Sequence, residues 1–503
     1  MLAPIRWKLC SSLISTASES NIFKTRKTAA CRPRKTCGCQ IARNYANESD
    51  TALEDEELVI SDLGKSLRSI RLAGDPHQVY LIQPYIKWGP QKDHLTPPEL
   101  KLEEAEALIR TLPRWTVVKS RIVPLTSFDR KSFFGEGNLN DITWKTRSLQ
   151  TITSVFINTK SLKLPQHLFL EQAFGVPVFD RHSIVINIFK KHAKTKEAKL
   201  QVALAEIPYF WSRIRGINES EIFDVSHVGI GGAGTFEEKR LTILKERERK
   251  IKEEIKRLRA NRELLRAKRQ ENELPTVAIV GYTNAGKTSL IKALTSEEGL
   301  TPEDKLFATL DVTVHATLLP TNVKILLVDT IGFISDIPTN LLEPFVATLE
   351  DAILADVIVH VQDVSHPNSK AQEETVLKTL KSLDLPESLM NSIISVGNKV
   401  DKLGSNAELP ENILPISCKD GRGLDELLDR IEDQVYKNTG MKKMKIKVPN
   451  GGEEYQWLQR NASIFGFDED PKNSQTVILS LAITKAKLEK FKHEFILKKA
   501  KGS

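Results

Sequence analysis

Apolar positions along the chain change their period several times. Short β-branched and apolar runs at 79–83, 115–123, 152–158 and 183–188 alternate with helix-spaced stretches at about 99–111, 138–149 and 166–173. Such alternation predicts a small parallel sheet covered by helices. From about 187 the period lengthens. Leu200, Ala203, Leu204, Ile207 and Trp211 recur at helical spacing, and Leu241, Leu244, Ile251, Ile255, Leu258 and Leu265 follow at heptad-seam intervals. Two long amphipathic helices around a glycine-rich break at 228–236 are best closed as an antiparallel hairpin, each burying the other's stripe. Gly231, Gly232 and Gly234 would sit at its tip.

Beyond 273 the strand and helix patterns return. Val277 to Val280 form an apolar run that ends in Gly281, Tyr282, Thr283, Asn284, Ala285, Gly286, Lys287, Thr288 and Ser289, after which a helical pattern begins. This is the Gly-x-x-x-x-Gly-Lys-Thr phosphate loop between a strand and a helix. Its backbone N–H groups can turn onto phosphates, Lys287 can reach the β- and γ-phosphates, and the Thr288 hydroxyl can ligate Mg2+. A second buried-strand pattern, 324–328, ends in Asp329, Thr330, Ile331 and Gly332. Asp329 is placed to hold the metal's water shell and the Gly332 amide to sense the γ-phosphate. A third run leads to Asn398, Lys399 and Asp401, whose carboxylate can accept from N1–H and the exocyclic amine of guanine. A fourth leads to Ser417, Cys418 and Lys419, a loop against the base. All four lie at carboxyl ends of predicted strands, where open α/β sheets bind ligands. They predict a GTP and GDP site with Mg2+ as cofactor, and GTP hydrolysis as the chemistry. After Asp-x-x-Gly, Phe333 stands where Ras-like enzymes carry the glutamine that orients water, so slow unaided hydrolysis and activation by a partner are expected.

The expected fold class is therefore α/β: a P-loop GTPase domain at 273–440, preceded by a small α/β domain at 77–186 with a helical hairpin arm at 187–272. A small α+β unit at 441–503 follows, which either docks a partner or packs on its neighbour. Charge refines this picture at two places. Nine of the 73 Lys and Arg residues and one of the 65 Asp and Glu residues lie in 1–45, which leaves 64 of each sign for the rest. That leader is rich in Ser, Thr and Ala and poor in acids, the composition of a mitochondrial transit peptide, with a plain basic tail as the alternative. An acidic linker would occupy 46–76. Cys10, Cys31, Cys37 and Cys39 lie in the leader without zinc spacing or a histidine partner. No apolar run approaches the length of a membrane span, so no membrane insertion is expected. The second place is 239–269, with 14 Lys and Arg against five Glu. Concentrated on an extended arm, this excess points to RNA phosphates, with Arg257, Arg259 and Arg266 as contact candidates beside the tip glycines.

Linked motifs resemble HflX-type GTPases: 178–184, 188–205, Gly281 to Thr288, Lys305 to Asp311 around Thr309, Asp329 to Ile334 and Phe345 to Glu350. The resemblance covers roughly 77–440. It implies a monomeric GTPase of the mitochondrial matrix that binds the large ribosomal subunit and its rRNA, splits ribosomes, and takes part in late large-subunit assembly. It also implies that Thr309 is a switch threonine closing on Mg2+ and the γ-phosphate. Lys287, Thr309 and Gly332 then form the catalytic set, with Thr288, Thr309 and, through water, Asp329 around the metal. The tip reads Gly232, Ala233, Gly234, Thr235, Phe236, Glu237, keeping the glycines of the bacterial pattern but not its following residues. The remaining alternatives are a pure assembly factor and a non-ribosomal, GTP-dependent scaffold.

Overall fold

The computed structural model describes residues 76–90, 92–214, 242–260, 274–295, 302, 305–310, 312–336, 355–383, 385–404, 409–470 and 475–497. The region expected to be a transit peptide, the expected acidic linker up to 75, the expected hairpin tip with Gly231, Gly232 and Gly234, Arg266, and the stretch from Phe345 to Glu350 lie outside them. Everything described belongs to one compact unit, Leu67–Ser503.

Strand β1 (His77–Ile86) opens a four-stranded sheet, followed by helix α1 (Pro98–Thr111), β2 (Trp115–Leu125), α2 (Glu136–Ser148), β3 (Ser154–Ile157), α3 (Leu164–Phe174) and β4 (Val178–Asp180). The strand order is β2-β1-β3-β4 and every pairing is parallel. Val79 to Ile82, Val155 to Ile157 and Phe179 are buried, as a sheet covered on both faces requires.

The strand expected at 183–188 is instead part of helix α4 (Arg181–His192), and the strand lies just before it at 178–180. The run is β-branched, but Asp180 caps it: its carboxylate accepts the Ser183 N–H at 2.9 Å, and Ser183 Oγ interacts with the Asp180 backbone in return. Ile184, Val185, Ile186, Ile188 and Phe189 are all buried. A helix buried on nearly every side shows little solvent-facing polar stripe to reveal its period.

Helix α5 (Lys196–Ile214) and helix α6 (242–260) run antiparallel. Lys196 at the start of α5 bonds Glu254 near the end of α6 at 2.7 Å, while Lys245 near the start of α6 lies over Trp211. Their seam is Ile207, Ile251 and Ile255, flanked by Leu200, Ala203, Leu204 and Trp211. Leu244 is buried as the heptad spacing predicts.

The second sheet contains β5 (Thr276–Gly281), β6 (Thr313–Leu318), β7 (Lys324–Asp329), β8 (Val357–Asp363), β9 (Ile394–Asn398) and β10 (Leu414–Pro415). Among them run α7 (Lys287–Thr295), α8 (Ser369–Lys381) and α9 (Glu387–Met390), and α10 (Leu424–Thr439) follows. The order is β10-β9-β8-β5-β7-β6, with only β6 antiparallel. One apolar cluster joins this sheet to the first unit, running from Phe179, Ile184 and Phe189 through Ala198 and Val202 to Ala278, Val280, Phe307 and Phe333. Domain and arm are thus anchored on the second sheet by shared core.

The C-terminal unit is an antiparallel sheet, β11 (Lys442–Pro449), β12 (Ser463–Glu469) and β13 (Thr476–Ile483), in the order β11-β13-β12, with α11 (Glu453–Asn461) and α12 (Lys485–Phe491). Strand β12 goes beyond what the sequence pattern predicts. The unit rests on α10 and the β6–β7 turn. Ala482 packs into the core beneath α10, Lys443 pairs with the buried Glu432, and Asn322 donates to the Ile464 carbonyl at 3.1 Å.

Candidate functional site

The predicted motif residues converge at the carboxyl edge of the second sheet. Strand β5 delivers Gly281 into the loop 281–286, and α7 begins at Lys287, so the loop's backbone points at the start of a helix dipole. Gly286 has φ +97, and a Cβ there would lie 2.2 Å from Asn398 Nδ2. Only glycine allows the loop to pass the guanine-motif asparagine this closely.

Lys287 is buried, with Nζ donating to the Tyr282 carbonyl at 3.0 Å and the Gly281 carbonyl at 3.3 Å. Burial pushes its pKa down to about 8, partly opposed by the Asp329 carboxylate. An anion in the loop would favour the ammonium and raise this value again. Asp329, at the end of β7, is buried as well, and desolvation raises its pKa against the pull of Lys287, Thr288 and Thr309.

The three metal candidates lie together. Thr288 Oγ1 donates to Asp329 Oδ2 at 2.7 Å, Thr309 Oγ1 donates to the same oxygen at 3.2 Å, and the two hydroxyls are 3.0 Å apart. Asp329 Oδ1 is buried without a hydrogen-bond partner. A hard, all-oxygen set with one unsatisfied carboxylate oxygen fits Mg2+ rather than a thiophilic metal. A magnesium ion there would neutralise charge on the β- and γ-phosphate oxygens.

Gly332 packs directly on the loop. A Cβ at this position would sit 2.8 Å from Thr283 Cα and 3.0 Å from Lys287 Nζ. Behind it, Phe333 forms a β-bridge with Tyr282: its N–H donates to the Gly281 carbonyl at 3.1 Å, and its carbonyl accepts the Thr283 N–H at 2.7 Å. The Phe333 ring is buried in the shared core, where it cannot orient a water molecule.

The guanine-side residues form a second hydrogen-bonded group. Asn398 is buried, donates to the Ala285 carbonyl at 2.9 Å and accepts the Cys418 N–H at 3.2 Å, which ties the loop to 417–419. Lys399 donates to the Asn284 carbonyl at 2.8 Å and pairs with Asp363 at 2.7 Å. Asp401 accepts from Ser417 Oγ at 2.8 Å. That bond holds its carboxyl below the usual range, so it is ionised and ready to accept from a ligand. Burial drives the Cys418 thiol up to about 12, so it is a neutral wall of the site and not a nucleophile.

Sequence reasoning missed the tie between the N-terminal domain and this loop. The Tyr282 hydroxyl donates to Glu104 Oε2 of α1 at 2.6 Å and accepts the Ser335 N–H at 2.9 Å. Glu104 also pairs with the buried Arg181, whose Nη1 donates to Asn158 at 3.0 Å. Lys101 lies 3.5 Å from Asp336, a residue held at φ +57. These bonds join positions from 23 to 235 residues apart, and no local pattern announces them. A cavity of about 700 Å³ lies beside this tie at the carboxyl edge of β1 and β3. The phosphate loop borders only about 50 Å³. Converging N–H groups, a buried lysine and an under-bonded carboxylate identify the chemical site better than volume does.

A phosphate loop, an Asp-x-x-Gly segment and an Asn-Lys-x-Asp motif, on parallel strands of one sheet, define a P-loop GTPase. The chain belongs to the HflX family of GTPases. It is 42% identical over 427 residues to "Putative GTP-binding protein 6" of Xenopus laevis, covering 84% of this chain and 81% of that protein. The human protein of the same name is 41% identical over 433 residues, covering 83% of each chain. "GTPase HflX" of Caldanaerobacter subterraneus is 35% identical over 350 residues, covering 68% of this chain and 79% of its own. Three family profiles match in succession: "GTP-binding GTPase N-terminal" at 99–190, "GTP-binding GTPase Middle Region" at 192–269 and "50S ribosome-binding GTPase" at 276–399. Among solved structures, a GTP-binding protein of Sulfolobus solfataricus in complex with GDP overlaps at a TM-score of 0.39 and 23% identity, covering 72% of this chain and 99% of its own.

Proposed function

We propose that this GTPase acts on the mitochondrial ribosome: in its GTP form it binds the large subunit, separates ribosomes into subunits for recycling, and also serves late large-subunit assembly. Lys287, Thr288, Thr309, Asp329 and Gly332 would hold and read the triphosphate with Mg2+, and Asn398, Lys399 and Asp401 with the 417–419 loop would select guanine. The basic leader supports import into the matrix. The family profile named for 50S ribosome binding supports the partner.

The observation that carries the reading is the arm. Helices α5 and α6 project a Lys- and Arg-rich surface from the core that also packs the GTPase sheet. Within α6, Glu246, Glu248, Glu253 and Glu254 are each engaged by a cation: Arg249, Lys252, Arg249, and Lys196 with Arg257, respectively. Such exposed pairs contribute little to stability and exchange readily for phosphate contacts.

GTP would order Thr309 and Gly332, the ordered form would fit the subunit, and the arm would enter a site incompatible with subunit joining. Hydrolysis, stimulated by the ribosome in the role Phe333 leaves open, would release the protein.

Reversing charge at Arg257 and Arg259 to Glu tests the arm by cosedimentation with large subunits across salt concentrations. Binding should weaken about tenfold or more, and the slope of log affinity against log salt should fall by about 1 for each phosphate that the arm no longer neutralises. Unchanged affinity and slope would remove RNA as the arm's partner and favour a protein-binding scaffold.

A further inference from the structure

Thr309 reaches the metal oxygens from a segment, 305–310, that belongs to neither neighbouring strand, and something must hold it there. Leu306, Phe307 and Leu310 are buried while Ala308 is exposed and Thr309 half-buried. The anchor reaches beyond the GTPase sheet. The Phe307 ring meets Phe189 of α4 edge-on, with centroids 4.9 Å apart and planes at 89°. The Phe307 carbonyl accepts a hydrogen bond from Nδ1 of His192, the last residue of α4, at 2.5 Å. Since a carbonyl only accepts, His192 carries its proton on Nδ1.

Phe307 also has φ +54, a conformation that bulky side chains adopt only where their surroundings impose it. Here the surroundings are α4 and the shared core. A short connection after His192 leads into α5, the first helix of the arm.

We propose that Phe307 and His192 are positioning residues for GTP hydrolysis, holding Thr309 at the Thr288 and Asp329 oxygens by anchoring its segment to α4, the helix that carries the arm. The inference rests on the reading of Thr309 as the residue that closes on the γ-phosphate. The same anchor makes the base of the arm sensitive to the nucleotide, because a segment drawn toward a γ-phosphate pulls on Phe189 and His192. It predicts that GTP, and not GDP, alters the environment of α4.

The test uses the full chain and compares Phe307→Ala, Phe307→Leu, His192→Ala, His192→Gln and Thr309→Ala in single-turnover GTP hydrolysis, GDP affinity and thermal unfolding. Phe307→Ala and His192→Ala should slow hydrolysis about tenfold to a hundredfold, as an ångström-scale misplacement does, while GDP, which has no γ-phosphate, binds within about twofold of the parent. His192→Gln retains an N–H donor and Phe307→Leu retains most of the apolar volume, so both should recover part of the rate. The double alanine variant should be no slower than Phe307→Ala alone, since both act through one anchor.

If Thr309→Ala slows hydrolysis while Phe307→Ala and His192→Ala do not, the anchor assignment is overturned. It is equally overturned if these two variants lose GDP affinity in proportion to rate, which marks a purely structural role. A Thr309→Ala variant with the parent's rate removes the underlying reading of Thr309 instead.

Discussion

Lys287→Ala is expected to reduce GTP hydrolysis about a thousandfold, at the upper end of what loss of one preorganised charge stabiliser costs. The lysine is buried against the Tyr282 and Gly281 carbonyls and faces Gly332, so no solvent cation can replace it. The same residue makes a second, signed prediction. Its pKa in the free protein is held near 8 by burial, whereas bound phosphates favour the ammonium and raise it. Below about pH 8 the lysine is already protonated, and nucleotide binding takes up no proton there. Above that, binding must recapture one and weakens as pH rises. Calorimetry of GDP binding in buffers of different ionisation enthalpy, above the range where the GDP phosphate itself titrates, should show uptake of about half a proton at pH 8, rising toward one at about pH 9. Zero uptake at both values would contradict a Lys287 whose proton affinity rises on nucleotide binding.

Asp401→Asn should change which base is accepted. The carboxylate is fixed by Ser417 and ionised, so it can accept two N–H bonds from guanine. An amide in its place offers one acceptor and one donor, and the donor faces the guanine amine. Loss of a charge-assisted pair is worth roughly 1.5 to 3 kcal/mol, about tenfold to a hundredfold in GDP affinity. Xanthine carries a carbonyl where guanine has the amine, so XDP affinity should rise by a similar factor. Competition of GDP and XDP for the variant reads both changes at once. An Asp401→Asn protein that still prefers GDP as the parent does would move guanine recognition elsewhere.

The site was legible in the sequence because its parts are local. Spacing alone placed Gly281 to Ser289 between a strand and a helix, and Asp329, Asn398 and Asp401 at strand ends, since phosphate loops and strand-end carboxylates need those intervals. The hairpin seam was legible for the same reason: Leu244, Ile251 and Ile255 keep a heptad period, and all three are buried. What stayed hidden depends on contacts between distant positions or on patterns without contrast. Helix α4 is buried nearly all round and its apolar run therefore resembles a strand, although Asp180 three residues before Ser183 is a capping signal. Strand β12 mixes Ile464, Phe465 and Phe467 around Gly466 and pairs through a bulge, which blurs its alternation. The Tyr282–Glu104 bond and the Phe307–Phe189 contact join residues far apart in the chain. They decide how the N-terminal domain and the arm are tied to the nucleotide site, and only the folded chain displays them.

The central claim, that the GTP form separates ribosomes, is tested most directly on a sucrose gradient of mitochondrial ribosomes mixed with protein lacking residues 1–45. GTP, a non-hydrolysable analogue and GDP are compared. The account predicts conversion of whole ribosomes to subunits with GTP and with the analogue but not with GDP, because binding of the ordered form does the separating. Whole ribosomes that persist in every nucleotide, while the protein travels with free large subunits, would contradict it and leave subunit assembly as the function.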